Sequence, residues 1–354
     1  MNNVEGKAYN GRYKNQRKKC KVKNSNINKL KKKRYRRRVR NKIIFKFIMI
    51  SLFVTILIVI KNNISNYKAE KSKENAKNEI VTTIVDDKSN DNKDTEPKKQ
   101  ERYEKQEEIK KSDPHEIMPN SNVTYEGVTY AMDASDVKAM LYGTYAGSKK
   151  YVFLTFDDGP SPNTEKVLDI LKENNVKGTF FVLGSMIEAS TEAQKTLKRI
   201  IKEGNALANH TYTHNLSTLY PRNTIDINYF MEEVNNTNKL MKKILGENFN
   251  TKVLRMPGGY MSRKYYNDPS LPAFDDRLNS EGIVSIDWNT LNGDAEGVEY
   301  TVEEMVNKVK EGAKEVNQSI VLMHDTYGKE KTVEALPEII NYFKSQGYEF
   351  RTIK

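Results

Sequence analysis

An α/β fold, with parallel strands and helices packed outside them as either a barrel or an open sheet, is predicted for the chain after about residue 122. Three observations predict it. From Tyr151 onward, short apolar runs alternate with amphipathic helical patterns. Helix start and stop signals fall between the two kinds of segment. Polar clusters follow the apolar runs rather than interrupting them. In a barrel or an open sheet of this kind, the functional face lies at the C-terminal ends of the strands.

The elements follow in order. VTYEGVTYAM, after Asn122, reads as a short hairpin, and YVFLTF, from Tyr151, as a strand. Ser161 then Pro162 supply an N-cap and a proline at the first helical position, opening a helix through Val167, Leu168 and Leu171. GTFFVL is the next strand, and a helix near Ala193–Lys202 stops at Gly204. NALAN reads as a short strand, and Ile225–Leu245 as a long helix ended by Gly246. KVLRM, GIVSIDW and SIVLMH read as three further strands, and helical patterns at Val302–Val316 and Thr332–Ser345 follow the last two. YEFRTI closes the chain, and Tyr265–Arg277 reads as an inserted loop near the groove.

The N-terminal third is different. The net charge of +12 is concentrated in residues 1–42, where 18 Lys or Arg face a single acid, Glu5; the remainder carries about −5. Residues 43–60, IIFKFIMISLFVTILIVI, form an apolar run near the length that crosses a bilayer, broken only by Lys46, whose stem can snorkel to the interface. Polar sequence on both sides argues against a buried core helix, and the run is long for a cleaved signal peptide. The expected arrangement is a single transmembrane helix with the basic tail in the cytoplasm and the rest outside. RYRRRVR resembles a nucleic-acid patch, but beside a span it reads as a topology signal that touches anionic lipid. Residues 61–121, rich in Lys, Glu, Asp and Asn, read as a disordered tether, and 122–148 as a short extension ahead of a globular domain at 149–354. The only cysteine, Cys20, falls in the tail, so the external part is expected to hold together without disulfides.

Five polar clusters follow five predicted strands. TFDDG places Asp157 and Asp158 side by side. Asp-Gly-Pro is ordinary turn chemistry, but adjacent carboxylates repel unless a cation is nearby. NHTYTH places His210 and His214 at i and i+4, a spacing that on a helical turn lets two imidazoles grip one ion. Asp plus two His is a sufficient catalytic metal shell. RMPGG offers Arg255 to a carboxylate and a Pro-Gly-Gly backbone N–H to an anion. IDWNT carries Asp287 and the only tryptophan, Trp288, a core residue or a groove wall. VLMHD carries His324, a structural partner or a general acid.

These motifs, TFDDG, HTYTH, RMPG, DW and LMHD, together resemble the polysaccharide deacetylase family, the NodB-homology carbohydrate esterases, over roughly 149–354. The resemblance implies a distorted (β/α) barrel and a divalent metal, zinc first, with cobalt or another divalent ion as alternatives. It implies Asp158, His210 and His214 as metal ligands and Asp157 as general base, oriented by Arg255. His324 would be the general acid, held by Asp287. Trp288 and Leu322 would wall an acetyl pocket, Thr211 would brace the histidine loop, and Pro257 would support the third motif. Where many members carry an aromatic residue after that proline, this chain has Gly258 and Gly259; Gly258 keeps its N–H as an oxyanion donor, and Tyr260 is the candidate to replace the missing ring.

The implied activity is metal-dependent N-deacetylation of a glycan. An anchor and spacer point to a bacterial surface enzyme, and so to N-acetylglucosamine of peptidoglycan. N-acetylmuramic acid, chitin oligomers, exopolysaccharide and acetylxylan are the alternatives. The complete residue set argues against a glycan-binding module that has lost turnover. The expected partners are cell-wall glycan and, through the anchor, the membrane, with no nucleic acid; the chain is expected to act as a monomer.

Overall fold

The computed structural model describes residues 113–354. The basic tail, the expected span at 43–60 and most of the expected tether lie outside them. Among the described residues no helix is long and apolar enough to cross a membrane.

One parallel sheet organises the domain. Its strands are β2 (Tyr151–Gly159), β3 (Thr179–Val182), β4 (Ala206–Asn209), β5 (Val253–Leu254), β6 (Val284–Ser285), β7 (Thr290–Leu291) and β8 (Gln318–His324), in the order β6-β5-β4-β3-β2-β8-β7. A short β9 (Glu349–Phe350) pairs with the start of β2, while β1 (Ala131–Met132) pairs with β10 (Thr352–Ile353). Around the sheet lie α1 (Ala134–Leu141), α2 (Pro162–Glu173), α3 (Gly184–Glu188), α4 (Thr191–Lys202), α5 (Leu216–Leu219), α6 (Ile227–Leu245), α7 (Tyr260–Tyr265), α8 (Leu271–Ser280), α9 (Val302–Ala313) and α10 (Glu330–Ser345).

The sheet curls into a barrel with one seam. The Ile286 N–H donates to Leu254 on β5, and the Asn289 N–H donates to Ile320 on β8. Three residue steps span at most about 11 Å, so the two ends of the sheet face each other across residues 286–289. β6 and β7 flank this seam without pairing. Helix α1 covers the interior there, where Val137 and Met140 pack with Phe153, Ile286 and Ile320.

Strand periodicity then decides what enters the barrel. On β2, Val152, Leu154 and Phe156 pack outward with the helices, whereas Tyr151 and Phe153 pack in the interior cluster. Thr155 and Asp157 continue the interior row. On β8, Val321 and Met323 face out and Ile320 faces in, which places Leu322 and His324 inside. Val253 faces in on β5, so Arg255, two residues on, does as well. The continuous apolar runs seen in the sequence are strands buried on both faces.

Three expectations change. The anticipated hairpin at VTYEGVTYAM is a single 3-10 turn, Gly127–Thr129, followed by β1, whose partner is the distant C-terminal β10. Residues 113–121, assigned to the tether by composition, join the fold through backbone pairing. Ile117 bridges Thr124, Ser121 bridges Phe249, and the His115 Nδ1 lies 3.1 Å from the Lys202 carbonyl. These contacts lie beside the segments that lead into β4 and β5, on the face opposite the strand C-termini. The inserted loop at Tyr265–Arg277 contains most of α8, whose Leu271, Phe274 and Leu278 are buried against Phe230, Leu254 and Met256. Phe274 is fully buried and meets Phe230 edge-on at 4.9 Å. Phe274→Ala is expected to cost about 3–5 kcal/mol of unfolding free energy in a denaturant titration. A loss below about 1 kcal/mol would show that α8 is peripheral to the core.

Candidate active site

Asp157 and Asp158 reach one site only because β2 breaks its alternation. Strict pleating would send Asp158 outward, towards the helices. The register with β3 instead shifts between Asp157 and Gly159, and Asp158 takes φ = 71°. That left-handed conformation turns its carboxylate back to the mouth. The turn is braced from behind by Asp325, to which the motif reading gave no role. The Asp325 N–H donates to the Asp157 carbonyl (3.2 Å), and its own carbonyl and Oδ2 accept from Ser161 Oγ and Thr164 Oγ1, both at 2.5 Å. Burial pushes the Asp325 carboxyl up to about 7. A Cβ on Gly159 would sit 2.7 Å from that carboxylate, so only glycine fits there.

The two histidines come from a turn and not from the helical turn that their spacing suggests. Thr211 and His214 both have positive φ, 71° and 56°. The turn is held by polar groups: Asn209 Oδ1 accepts the Thr211 N–H (2.7 Å), and Thr237 Oγ1 donates to the Thr211 carbonyl (2.8 Å). Glu233, buried on α6, accepts from the N–H groups of Tyr212 and Thr213 and from Thr213 Oγ1. Thr211 therefore braces the loop through its backbone, and its Oγ1 has no partner. Glu233 was not found by sequence reading; a carboxylate in a helix 19 residues beyond the motif gives no local signal.

Asp158, His210 and His214 form the expected cluster. The Asp158 Oδ1 lies 3.4 Å from His210 Nε2 and 3.7 Å from His214 Nε2. Ligands about 2.1 Å from a shared ion in tetrahedral array are about 3.4 Å apart, so this spacing fits a divalent metal. The His210 Nδ1–H donates to the Arg255 carbonyl at 2.7 Å, which leaves Nε2 as the ligand atom. The buried Asp158 Oδ1 has no protein hydrogen-bond partner. Burial works against its charge, yet the neighbouring imidazoles, His210 first, hold Asp158 below the usual carboxylate range. Burial and the neighbouring His210 push His214 down.

Arg255 is fully buried and directs its donors at the barrel mouth. Its Nη1 donates to Thr155 Oγ1 (2.7 Å) and Asp157 Oδ1 (2.8 Å), its Nε to the Ile286 carbonyl (3.0 Å), and its Nη2 to the Asp287 carbonyl (3.2 Å). Its guanidinium also lies 4.1 Å from the centre of the Phe181 ring. Arg255 thus pins Asp157 and ties the seam to the strands.

The partner of His324 is Asp294, not Asp287. His324 Nδ1 lies 2.8 Å from Asp294 Oδ1, and Asp294 Oδ2 accepts the His324 N–H (2.8 Å) and Thr332 Oγ1 (2.7 Å). The Asp287 carboxylate instead accepts the Tyr260 and Met261 N–H groups at 2.8 and 2.9 Å, at the start of α7. The seam explains the exchange: it delivers Asp287 to the α7 side, while the loop after β7 carries Asp294 over β8. Burial opposes charge on His324, yet the hydrogen bond and charge of Asp294 raise it to about 9. A raised group is protonated below its folded pKa, so cationic His324 persists through neutral pH and is lost as pH rises through about 9. Asp294→Asn is expected to move the alkaline limb of the pH–rate profile from near 9 towards the ordinary 6.5 and to lower the rate at pH 8 by up to about 30-fold. An unmoved limb would remove Asp294 from this role.

A cavity of about 320 Å³ collects Asp157, Asp158, His210, His214, Gly258, Trp288, Leu322, Asp294 and His324. Gly258 has φ = 75°, and among the described residues its N–H has no acceptor. Pro257 supports the turn through its carbonyl, which accepts from the Tyr220 hydroxyl (2.9 Å). Tyr260 does not replace the missing ring: its hydroxyl donates to Asp275 (2.6 Å), and its side chain packs beside Phe274, away from the cavity.

A family model described as polysaccharide deacetylase matches residues 144–270. A peptidoglycan-N-acetylglucosamine deacetylase of Bacillus cereus is 30% identical over 208 residues, covering 58% of this chain and 87% of that protein. This chain belongs to the polysaccharide deacetylase family. Its cavity is accordingly a hydrolytic deacetylase site, and the Asp158–His210–His214 set suits the divalent metal on which the family depends. A bifunctional xylanase/deacetylase of Pseudobutyrivibrio xylanivorans is 32% identical over 226 residues, 64% of this chain; the deacetylase spans only 33% of that relative's length. The solved structure of a Streptococcus mutans CE4 esterase superimposes with a TM-score of 0.63 at 38% identity, covering 69% of the deacetylase and 100% of the esterase.

Proposed function

We propose that the chain removes N-acetyl groups from N-acetylglucosamine of peptidoglycan, releasing acetate and leaving a free amine, as a zinc enzyme anchored in the bacterial membrane by residues 43–60. The observation that carries the chemistry is one cavity wall combining three metal ligands, an arginine-held carboxylate and an aspartate-held histidine. The basic tail, apolar run and polar spacer support the location.

Asp158, His210 and His214 would hold a divalent ion, which would supply Lewis acidity towards an acyl carbonyl and towards water. Asp157 has Oδ1 committed to Arg255, so its Oδ2 takes the proton of the attacking water. The Gly258 N–H donates to the oxygen that gains charge in the transition state. His324 has Nδ1 committed to Asp294, so its Nε2–H protonates the departing amine. Trp288 and Leu322 form apolar wall for the acetyl methyl and exclude water from it.

The full chain, stripped of metal by a chelator, is expected to lose at least about 10²-fold of its acetate release from peptidoglycan glycan strands and to regain it with zinc or cobalt. Acetylxylan is the second substrate to assay, because one relative is a xylanase/deacetylase. Release from acetylxylan alone would overturn the peptidoglycan reading. Undiminished release after complete metal removal would overturn the metal chemistry.

A further inference from the structure

Residues 113–354 hold 34 Asp or Glu and 27 Lys or Arg, so the domain is acidic. One cavity reverses the sign. It occupies about 580 Å³ at the rear of the barrel, where the end of α2, one side of α4 and the loops entering β3 and β4 meet. Six cations line it, Lys172, Lys177, Lys195, Lys198, Arg199 and Lys202, against two carboxylates, Glu126 and Glu203.

Both carboxylates are already paired. Glu203 accepts from Arg199 Nε at 2.8 Å, and Glu126 lies 3.3 Å from Lys177 Nζ. Arg199 is held further by Glu165 and Asp169, and Lys195 by its helix neighbour Glu192. Lys172, Lys198 and Lys202 are exposed, with no carboxylate partner among the described residues. Lys195, Lys198 and Lys202 stand at i, i+3 and i+7, on one face of α4. The helix dipole draws a cation to the last turn, which accounts for Lys202 and, on α2, for Lys172. It gives no reason for Lys195 and Lys198, which lie earlier in α4 and still line the cavity. Clustered like charges repel one another unless an anion sits among them.

The surroundings select the anion. Ammonium groups are point charges that bind phosphate oxygens. Set on two helices around a cavity of this size, they suit charges repeated along a chain better than one compact ion. Apart from the His115 imidazole no aromatic ring lines the cavity, so nucleic-acid bases have no stacking platform there. A concave site on an acidic domain is a poor match for a flat anionic bilayer. Residues 61–112, with 13 Lys or Arg against 12 Asp or Glu, offer no complementary charge. An adjoining cavity shares Lys198 and Lys202 but adds Asp113, Glu116 and Glu247, which confines an anion to the α2–α4 side.

We propose that this rear cavity binds an anionic phosphodiester polymer of the bacterial envelope, with phosphates on Lys172, Lys198 and Lys202. The proposal rests on the envelope location proposed above. It gives the domain a second hold on its surroundings, at the end of the barrel opposite the catalytic cavity.

The full chain in detergent micelles is acylated at its lysines with and without poly(glycerol phosphate), and labelling is read lysine by lysine by mass spectrometry. This readout separates the cavity from the basic tail. Labelling of Lys172, Lys198 and Lys202 is expected to fall at least about threefold at low salt and to recover at about 0.5 M salt. Lys239 and Lys264, exposed outside the cavity, are expected to stay unchanged. In Lys198→Gln with Lys202→Gln, the polymer concentration that half-protects Lys172 is expected to rise about 10–30-fold. Lys198→Arg with Lys202→Arg keeps the wild-type value, and an unchanged melting temperature shows that each variant is folded. Equal protection of Lys239 and Lys264, or an unchanged half-protecting concentration in the glutamine variant, overturns the proposal. Protection by phosphatidylglycerol vesicles and not by the polymer also overturns it, and makes this surface a membrane contact. Binding to the purified chain does not depend on where the chain resides, so absent protection counts against the cavity alone. Fractionation of cells tests the location separately.

Discussion

Asp157→Asn is expected to lower acetate release by about 10²–10⁴-fold while the protein stays folded and keeps its metal. The size follows from what the substitution removes. The amide oxygen of the introduced asparagine would still accept from Arg255, and Thr155 would keep its own bonds, so the interior network retains its shape. What is lost is an oxygen able to take a proton. The adjacent Asp158 cannot substitute, because its Oδ1 faces His210 and His214 as a ligand. Metal content by mass spectrometry of the native protein, together with acetate release, checks both halves. A rate within about tenfold of wild type, with metal retained, would remove Asp157 from proton transfer.

The second large effect is structural. Arg255→Leu is expected to cost about 3–5 kcal/mol, because it strands the Asp157 carboxylate, itself 2% exposed, without its counter-charge. For a domain of this size, that lowers the melting temperature by about 6–20 °C. It also frees the Ile286 and Asp287 carbonyls that the guanidinium holds at the seam. Lysine is no remedy, since one ammonium cannot reproduce the fork. The control is Arg255→Leu with Asp157→Asn. Removing the second charge is expected to recover part of the loss. A double variant no more stable than Arg255→Leu alone would show that the bonds to the seam carbonyls, and not the ion pair, carry the energy.

What the sequence revealed and what it hid divide along a physical line. Residues whose role follows from their own strand were legible: the run ending at Asp157 and the run ending at His324 are adjacent parallel strands, with these two residues opposite each other. Roles set by contact through space were not. Asp294 follows a two-residue strand, Thr290–Leu291, that makes no apolar run, and it reaches His324 across a 30-residue separation. Asp287 has the right type and place in its motif, but the seam turns it to the α7 amides. The HTYTH spacing was a sound guide to shared ligation and a poor one to conformation, because a positive φ at threonine is imposed by Asn209, Glu233 and Thr237 from outside the motif. Short strands were over-read for a related reason: KVLRM and GIVSIDW are apolar through most of their length, yet only two residues of each make a ladder before the chain bends to aim Arg255 and to cross the seam.

The attachment of residues 113–121 has a mechanical consequence. These residues are fastened beside Lys202 and Phe249, behind the barrel, while the catalytic cavity opens at the other end. A load applied through the chain at Asp113 is therefore taken up by backbone pairing at the rear and does not cross the mouth. Held that way, the domain points its opening away from the point of restraint, like a lamp hung by its base. A polymer strand meets the cavity at the end of the barrel opposite the attachment of residues 113–121.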